Sequence, residues 1–284
     1  MDFSSEVTQA ITGWLHTLST SLLQPALDAA RPLLFSTPAF DGMPEIQQAW
    51  SEVRDLADAT FVLAVLAGGI LIMSSGAFET HYTVKLLLPR LVLAGLLSNA
   101  SLQVCGALIR FDNGVIAGLV GSDGGAAIWS QITAGIGGTI TDQVLASVAG
   151  LAAAVIAILL VAVFLVRDVV LLLAIVLSPL ALATYGVPPA SWVARLWWRI
   201  LAASLLVQPL EALLVSLGLT LTQHTQWLGA PGSALVTSLV LLTLLYLLVK
   251  LPLLGYRWAF GHSASNSSVV RTVVLAAKAA GIGA

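Results

Sequence analysis

One glutamate lies within a long apolar run of this sequence, where a carboxyl group is unusual. Glu211 is part of the segment SLLVQPLEALLVS, and Gln208 precedes it by three residues. Residues three apart lie on the same face of a helix, so the two polar side chains share one side. A charge in the middle of a bilayer costs about 2.5–3.5 kcal/mol. The carboxyl group is therefore expected to be neutral, or to face a partner or water.

This polar pair has two interpretations, and both remain open at this stage. In the functional one, Glu211 and Gln208 line a seam between proteins or a conduit. In the structural one, they form an interhelical hydrogen bond that fixes helix packing. Arg90 is the third polar residue predicted to lie within the membrane. It is a candidate partner for Glu211, although its position one turn into a span favours extension of its side chain towards the headgroups.

Two prolines interrupt apolar runs and predict helix kinks, because proline removes a backbone donor. Pro209 lies beside Glu211, and Pro179 follows Ser178 in an earlier run. Proline-interrupted helices are found at the binding sites of some transporters. A coupled transporter, however, usually carries several buried ionisable groups, and Glu211 is nearly alone in its span.

The sequence lacks the motifs of common catalytic and metal sites. Its histidines are scattered without metal-ligand spacing, at His16, His81, His224 and His262. The patterns HExxH, GxSxG and GxxxxGK[ST] are absent from the sequence. The net charge of −2 argues against a dedicated nucleic-acid surface, which needs a basic excess. We therefore predict no enzymatic activity, no cofactor and no metal.

A glycine-rich segment spans residues 111–143. Four of its glycines have spacings of four, three and four, and on a helix they would form one seam for close helix packing: Gly114, Gly118, Gly121 and Gly125. Each glycine also weakens a helix by about 0.8–1 kcal/mol relative to alanine. A re-entrant or surface hairpin is the first interpretation of this segment, and a membrane span is the second.

Tryptophan and arginine alternate in the segment SWVARLWWRI, residues 191–200. The residues are Trp192, Arg195, Trp197, Trp198 and Arg199. Indole and guanidinium groups both favour the headgroup zone of a bilayer. The segment is therefore predicted to be an interfacial anchor.

The composition identifies the class of protein that must position these residues. Of the 284 residues, 58% are hydrophobic and only 9% are charged. A soluble domain carries roughly 25% charged residues, so the bilayer must be the solvent for much of this chain. We predict an all-α polytopic membrane protein, because a backbone in hydrocarbon must satisfy its own hydrogen bonds. Six spans are predicted, or seven if the glycine-rich segment crosses: about 60–77, 86–109, 144–166, 169–187, 200–221 and 234–254.

The predicted organisation has three parts. Residues 1–57 form an amphipathic N-terminal segment, whose apolar residues recur at helical spacing: Ile11, Leu15, Leu18, Leu22 and Ala26. This helix is expected to lie on the membrane or a partner, or else to cover the protein's own spans. Residues 58–258 form the transmembrane domain, in which Arg167 and Asp168 separate two spans. Residues 259–284 form a short C-terminal tail.

The distribution of positive charge supports two topologies. With six spans, nine cations fall on the side of both termini and three on the other, which places both termini inside. With seven spans, eight cations share a side against four, which places the N-terminus outside and the C-terminus inside. We expect the second arrangement.

Residues from about 160 to 255 resemble the TrbL family of conjugal transfer proteins. The resemblance rests on residue types in a fixed order: Arg167-Asp168, Ser178-Pro179-Leu180-Ala181, Pro188, Trp197-Trp198-Arg199 and Gln208-Pro209. Upstream, Leu97-Ser98-Asn99 and Asp112-Asn113 are similar to the asparagine-bearing segments that precede the family's central loop.

This resemblance implies a membrane subunit of a type IV secretion system in the bacterial inner membrane. Such subunits form homo-oligomers, and they act as a channel or as an assembly platform. They contact pilin-like or adhesin subunits outside and a cytoplasmic ATPase inside, and they help to pass DNA or protein. The C-terminus here is shorter than in members with long cytoplasmic tails. The alternatives from other classes are a small-solute transporter and a structural pore or scaffold.

Overall fold

The computed structural model describes residues 3–74, 84–121, 126, 129–132, 143–186, 190–223 and 234–264. Within these ranges the secondary structure is helical and contains no strand, which confirms the predicted all-α class for the described residues. The helices, numbered here in chain order, are α1 (Phe3–Phe35), α2 (Pro44–Ser74), α3 (Val84–Asn99), α4 (Ser101–Val120), α5 (Gln143–Val176), α6 (Ser178–Ala183), α7 (Ser191–Gln223) and α8 (Ala234–Ala264). Short 3₁₀ turns occupy Phe40–Gly42 and Thr184–Gly186.

Four of the described helices are long and apolar enough to cross a membrane. The segments that meet this criterion are Ser101–Val120, Ala146–Val176, Ser191–Leu221 and Val236–Ala259. The predicted count of six or seven spans is therefore not confirmed. The first predicted span, at about 60–77, falls on α2, which extends to Ser74.

The predicted break at Arg167 and Asp168 is wrong, because α5 continues through both residues to Val176. The third predicted span and the start of the fourth thus form one helix. Its buried residues recur at intervals of three and four, and Arg167 occupies one of these positions: Ala153, Ala157, Leu160, Phe164, Arg167 and Leu171. Arg167 therefore points inward with the apolar stripe, where it finds polar partners, and the helix has no reason to end there.

The interruption predicted at Pro179 coincides with a boundary between two helices, since α5 ends at Val176 and α6 begins at Ser178. A proline cannot donate to the carbonyl four residues earlier, which here belongs to Ile175. The Ser178 hydroxyl donates to that carbonyl at 2.6 Å. Pro179 then lies in the first turn of α6, where a missing N–H costs little.

The second predicted span, at about 86–109, is divided between α3 and α4 at Ala100. Polar residues around this junction form hydrogen bonds to other elements. Ser98 donates to the carbonyl of Pro179 at 2.9 Å, and Ser101 accepts from the indole N–H of Trp50 at 2.9 Å. These contacts fix the two helices near their junction.

The described chain divides into two compact units. Unit 1 comprises residues 1–38, 109–169 and 205–253. Its core combines the second half of α1 with parts of α4, α5, α7 and α8. Leu23, Leu27, Ala30 and Leu34 are the buried stripe of α1, so this part of the helix covers the protein's own helices. Gly218 of α7 allows close packing on α8, because a Cβ there would lie 1.7 Å from Leu244 Cδ1.

Unit 2 comprises residues 39–108, 170–204 and 254–284. The short helix α6 packs against α2 and α3 in this unit. Trp197 is buried, and its indole N–H donates to the carbonyl of Ala174 at 2.7 Å. The predicted boundary at residue 57 falls inside α2, which begins at Pro44.

The glycine-rich segment is only partly described. Gly114 and Gly118 lie on α4, are exposed, and have no described atom within 4 Å of a Cβ built on them. Gly121 follows the helix with φ 96°, a backbone conformation that favours glycine. Gly125 lies outside the described residues. The start of the segment is thus helical, and the choice between a hairpin and a further span remains a prediction.

Candidate functional site

The candidate site is a buried polar cluster inside unit 1, centred on Arg167. The guanidinium of Arg167 has no solvent exposure. Its Nη1 donates to Asp168 Oδ1 at 3.0 Å. Its Nη2 donates to Thr37 Oγ1 at 3.0 Å and to Gln208 Oε1 at 2.8 Å. We call Arg167, Asp168, Thr37, Gln208 and Asn113 the arginine hub.

Gln208 joins three elements within this hub. Its side-chain oxygen accepts from Arg167 on α5 and from the hydroxyl of Thr37, which follows α1. Its amide nitrogen donates to the carbonyl of Leu33 at 3.0 Å. This carbonyl belongs to the last turn of α1, where the helix itself supplies no donor. Gln208 therefore fixes α7 to the end of α1 by hydrogen bonds that an apolar side chain cannot make.

Thr37 and Asn113 form a second pair of hydrogen bonds in the arginine hub. The Thr37 backbone N–H donates to Asn113 Oδ1 at 2.8 Å, and Asn113 Nδ2 donates to the Thr37 carbonyl at 2.9 Å. The side-chain amide of Asn113 thus forms hydrogen bonds with both the N–H and the C=O of Thr37, as the backbone of an adjacent β-strand would. Thr37 stands two residues before Ala39, where the chain enters unit 2.

Two further carboxyl groups near the hub have buried oxygen atoms without hydrogen-bond donors among the described residues. Both oxygens of Glu211 are buried and have no hydrogen-bond partner among the described residues. The same holds for Oδ2 of Asp112 on α4. Arg167 interacts electrostatically with both carboxyl groups. A single guanidinium, already bonded to Asp168, therefore stands among three carboxyl groups.

The depth of these groups in the candidate spans adds to the free-energy cost of burying them in charged form. At a rise of 1.5 Å per residue, Arg167 lies about 9 Å from the middle of Ala146–Val176, and Glu211 lies about 8 Å from the middle of Ser191–Leu221. The hydrocarbon core extends about 15 Å on each side of its midplane. Both side chains would thus lie within hydrocarbon depth, where unpaired charge is strongly disfavoured.

The predicted polar residues do not all meet in this cluster. Gln208 and Glu211 are fully buried on the same face of α7, but only Gln208 forms side-chain hydrogen bonds with other described residues of the cluster. Arg90 is exposed, and its guanidinium lies 5.8 Å from the centroid of the Tyr185 ring. Pro209 lies inside α7, which continues on both sides of it.

The tryptophan segment contains one residue that is not an interfacial anchor. Trp192 and Trp198 are 56% and 42% exposed, and Arg195 is exposed as well, whereas Trp197 is only 5% exposed. Trp197 occupies the buried stripe of α7, so its indole packs inside unit 2. Arg199 is partly buried at the edge of that stripe. The anchor role remains a prediction for Trp192, Arg195, Trp198 and Arg199.

The centre of the hub is not evident from hydropathy, in which Arg167 and Asp168 form a break between two apolar runs. A signal for Arg167 was present, because it falls in register with the apolar residues Leu160 and Phe164. Nothing local marks Thr37, whose partners lie 76 to 171 residues away in the chain.

The arrangement can hold helices in register and can bind or release protons. Among the described residues, no group of three or more histidine, cysteine, aspartate or glutamate side chains could hold a metal ion. The hub therefore offers hydrogen bonds and titratable carboxyl groups as its chemistry.

Comparison with known proteins gives one match. A protein-family profile described as "TrbL/VirB6 plasmid conjugal transfer like protein" matches residues 2–283. The match therefore covers nearly the whole chain, including all helices described above. No curated protein and no solved structure matches this chain.

Proposed function

Because the chain belongs to the TrbL/VirB6-like family of plasmid conjugal transfer proteins, we propose that it is a channel or assembly-platform subunit of a type IV secretion apparatus. The family places the protein in a conjugal transfer system as a membrane component, and not in a family of enzymes. The observation that carries the proposal is the match over residues 2–283. The four membrane-capable helices support a multi-pass subunit.

We further propose the partners that such a subunit requires. Copies of the chain assemble in the inner membrane, where pilin-like or adhesin subunits bind on the outer side and a cytoplasmic ATPase binds on the inner side. DNA or protein passes through or along this assembly. The exposed apolar faces of the candidate spans supply surface for both lipid and other subunits.

The direct test deletes the gene from the DNA molecule that encodes the transfer genes and measures conjugal transfer of that DNA to a recipient strain. We expect transfer to fall below detection and to return when the wild-type gene is supplied in trans. Normal transfer in the deletion strain, with the other transfer genes intact, would contradict the proposal.

A second measurement separates the secretion subunit from a coupled solute transporter. In a coupled transporter, the buried carboxyl must gain and lose charge in each cycle. Glu211→Gln keeps its shape but removes that titration. We expect the Gln variant, produced in the deletion strain, to restore transfer. Loss of transfer by a variant that is inserted at the normal level would favour the transporter alternative.

A further inference from the structure

Glu211 is not explained by the hydrogen bonds of the arginine hub. Its side chain is fully buried, and neither carboxyl oxygen receives a hydrogen bond among the described residues. An ionised carboxylate in such a place keeps none of its solvation, which costs far more than folding can usually supply. Burial without a donor therefore favours the uncharged form of this carboxyl group.

The charges around Glu211 lead to the same conclusion. Within unit 1, the charged and titratable residues on the neighbouring helices are Glu6, His16, Asp28 and Arg31 on α1, Arg110 and Asp112 on α4, Arg167 and Asp168 on α5, and Tyr246 and Lys250 on α8. Of these, Arg167 is the one that acts electrostatically on Glu211. Its guanidinium is already paired with Asp168. One positive charge neutralises one carboxylate, so Arg167 leaves Glu211, which lacks a hydrogen-bond donor on both oxygens among the described residues, without a charge partner of its own.

The positions of Glu211 and Gln208 show what loss of the proton would do. The two residues are three apart on α7, so both present their polar atoms to the same face. Arg167 now donates Nη2 to two neutral acceptors, Gln208 and Thr37. A hydrogen bond from a guanidinium to a carboxylate is roughly twice as strong as one to a neutral group. An ionised Glu211 would therefore compete for this nitrogen from less than one helical turn away.

We propose that Glu211 is a proton-binding site and that its proton keeps the arginine hub in the hydrogen-bonded arrangement described above, in which Arg167 Nη2 contacts Thr37 and Gln208. When Glu211 gives up this proton to a base in solution, Arg167 Nη2 leaves Thr37 and Gln208 for the new carboxylate. Arg167 Nη1 stays on Asp168, so the guanidinium pivots without losing its first partner. The Thr37 hydroxyl then loses its guanidinium donor, and Thr37 keeps its hydrogen bonds with Gln208 and Asn113. The segment between α1 and α2 loosens as a result.

The first experiment detects the proton itself, in the full-length purified protein in lipid nanodiscs. Infrared difference spectra between about pH 6 and about pH 10 report the carbonyl stretch of protonated carboxyl groups. We expect the wild-type protein to lose such a band as the pH rises, and Glu211→Gln to lack the Glu211 component of this change. Asp112→Asn is the matched control and should keep it. An unaltered band change in Glu211→Gln, or none in the wild-type protein, would overturn the proposal.

The second experiment detects the movement of the hub. A spin label at Ser36, in a Cys105→Ser background, reports the mobility of the segment after α1. We expect this label to become more mobile at alkaline pH in the wild-type protein and to stay unchanged when Glu211→Gln is added. The same label at Gln48, which is exposed on α2, serves as the control and should not respond.

The two readouts must agree for the proposal to stand. A proton loss without a change in label mobility would show that Glu211 titrates but does not hold the hub. A mobility change that persists in Glu211→Gln would assign the switch to another group. Either result would overturn the coupling, and neither depends on the role of the protein in conjugal transfer.

Discussion

Arg167 shows how one arginine can be accommodated at membrane depth. Its planar guanidinium presents several donors in a fixed geometry, and here they reach a carboxylate, a hydroxyl and an amide oxygen at once. Lysine has a single ammonium group on a flexible chain, so it cannot replace this arrangement. The partners come from the end of α1, from α5 and from α7, and the residue therefore holds together elements that are distant in sequence.

We predict that Arg167→Met strongly destabilises the protein. The substitution leaves the largely buried carboxylate of Asp168 without its partner, and Thr37 and Gln208 each lose the guanidinium as a donor. Removal of one partner from a buried ion pair typically costs about 3–5 kcal/mol. The thermal unfolding of the detergent-purified protein measures this loss. Arg90→Met is the matched control and should change the unfolding temperature little, because Arg90 is exposed.

An unchanged unfolding temperature in Arg167→Met would show that the hub adds nothing to stability. A loss of equal size in Arg90→Met would show that the effect comes from removing any arginine near the membrane.

At the scale of single elements, sequence reasoning succeeded where a pattern is local and failed where partners are distant. The apolar runs identified the helical class, and the spacing of Gln208 and Glu211 placed them on one buried face, as the structure has them. Hydropathy treats Arg167 as an interruption because it scores each residue without its neighbours in space. A hydropathy profile also cannot detect that α4 begins at Ser101, because the apolar run continues across the junction.

Trp197 allows a test of how α7 is held within unit 2. We predict that Trp197→Phe destabilises the protein by about 1–2 kcal/mol, because the buried carbonyl of Ala174 loses its indole donor. Trp198→Phe removes the same N–H from a neighbouring, exposed residue and should be nearly neutral. Thermal unfolding in one detergent measures both variants. Equal effects of the two substitutions would contradict the buried role of Trp197.

The exposed glycines of α4 are candidates for contact between subunits. Gly114 and Gly118 are one helical turn apart, and open space surrounds both within the described part of one chain. We predict that Gly118→Leu reduces oligomer formation and leaves membrane insertion normal, because the new side chain holds the neighbouring backbone away. Native gels and membrane fractionation measure these two quantities.

Ala117→Leu is the control for added bulk on α4, since this exposed residue points about 100° away from Gly118 on the helix. Gly121→Leu is less informative: its positive φ makes any side chain strained, so that variant would also disturb the fold. An unchanged oligomer in Gly118→Leu would exclude this face from the assembly.

At the scale of the whole molecule, the orientation in the membrane decides which partners each end can reach. The described residues contain four candidate spans. The distribution of arginine and lysine around the spans indicates the orientation. The C-terminal stretch collects Lys250, Arg257, Arg271 and Lys278, which favours its retention in the cytoplasm.

We predict that the N-terminus lies outside the cytoplasm and the C-terminus inside. The test places single cysteines at Ser4 and at Ser265 in a Cys105→Ser background and labels intact cells with an impermeant maleimide. Ser4→Cys should be labelled in intact cells, whereas Ser265→Cys should be labelled only after permeabilisation. Equal labelling of both sites in intact cells would rule out this orientation. Protection of both sites would place both termini inside, as the six-span distribution of charge predicts, and the acidic N-terminal segment would then face the cytoplasm.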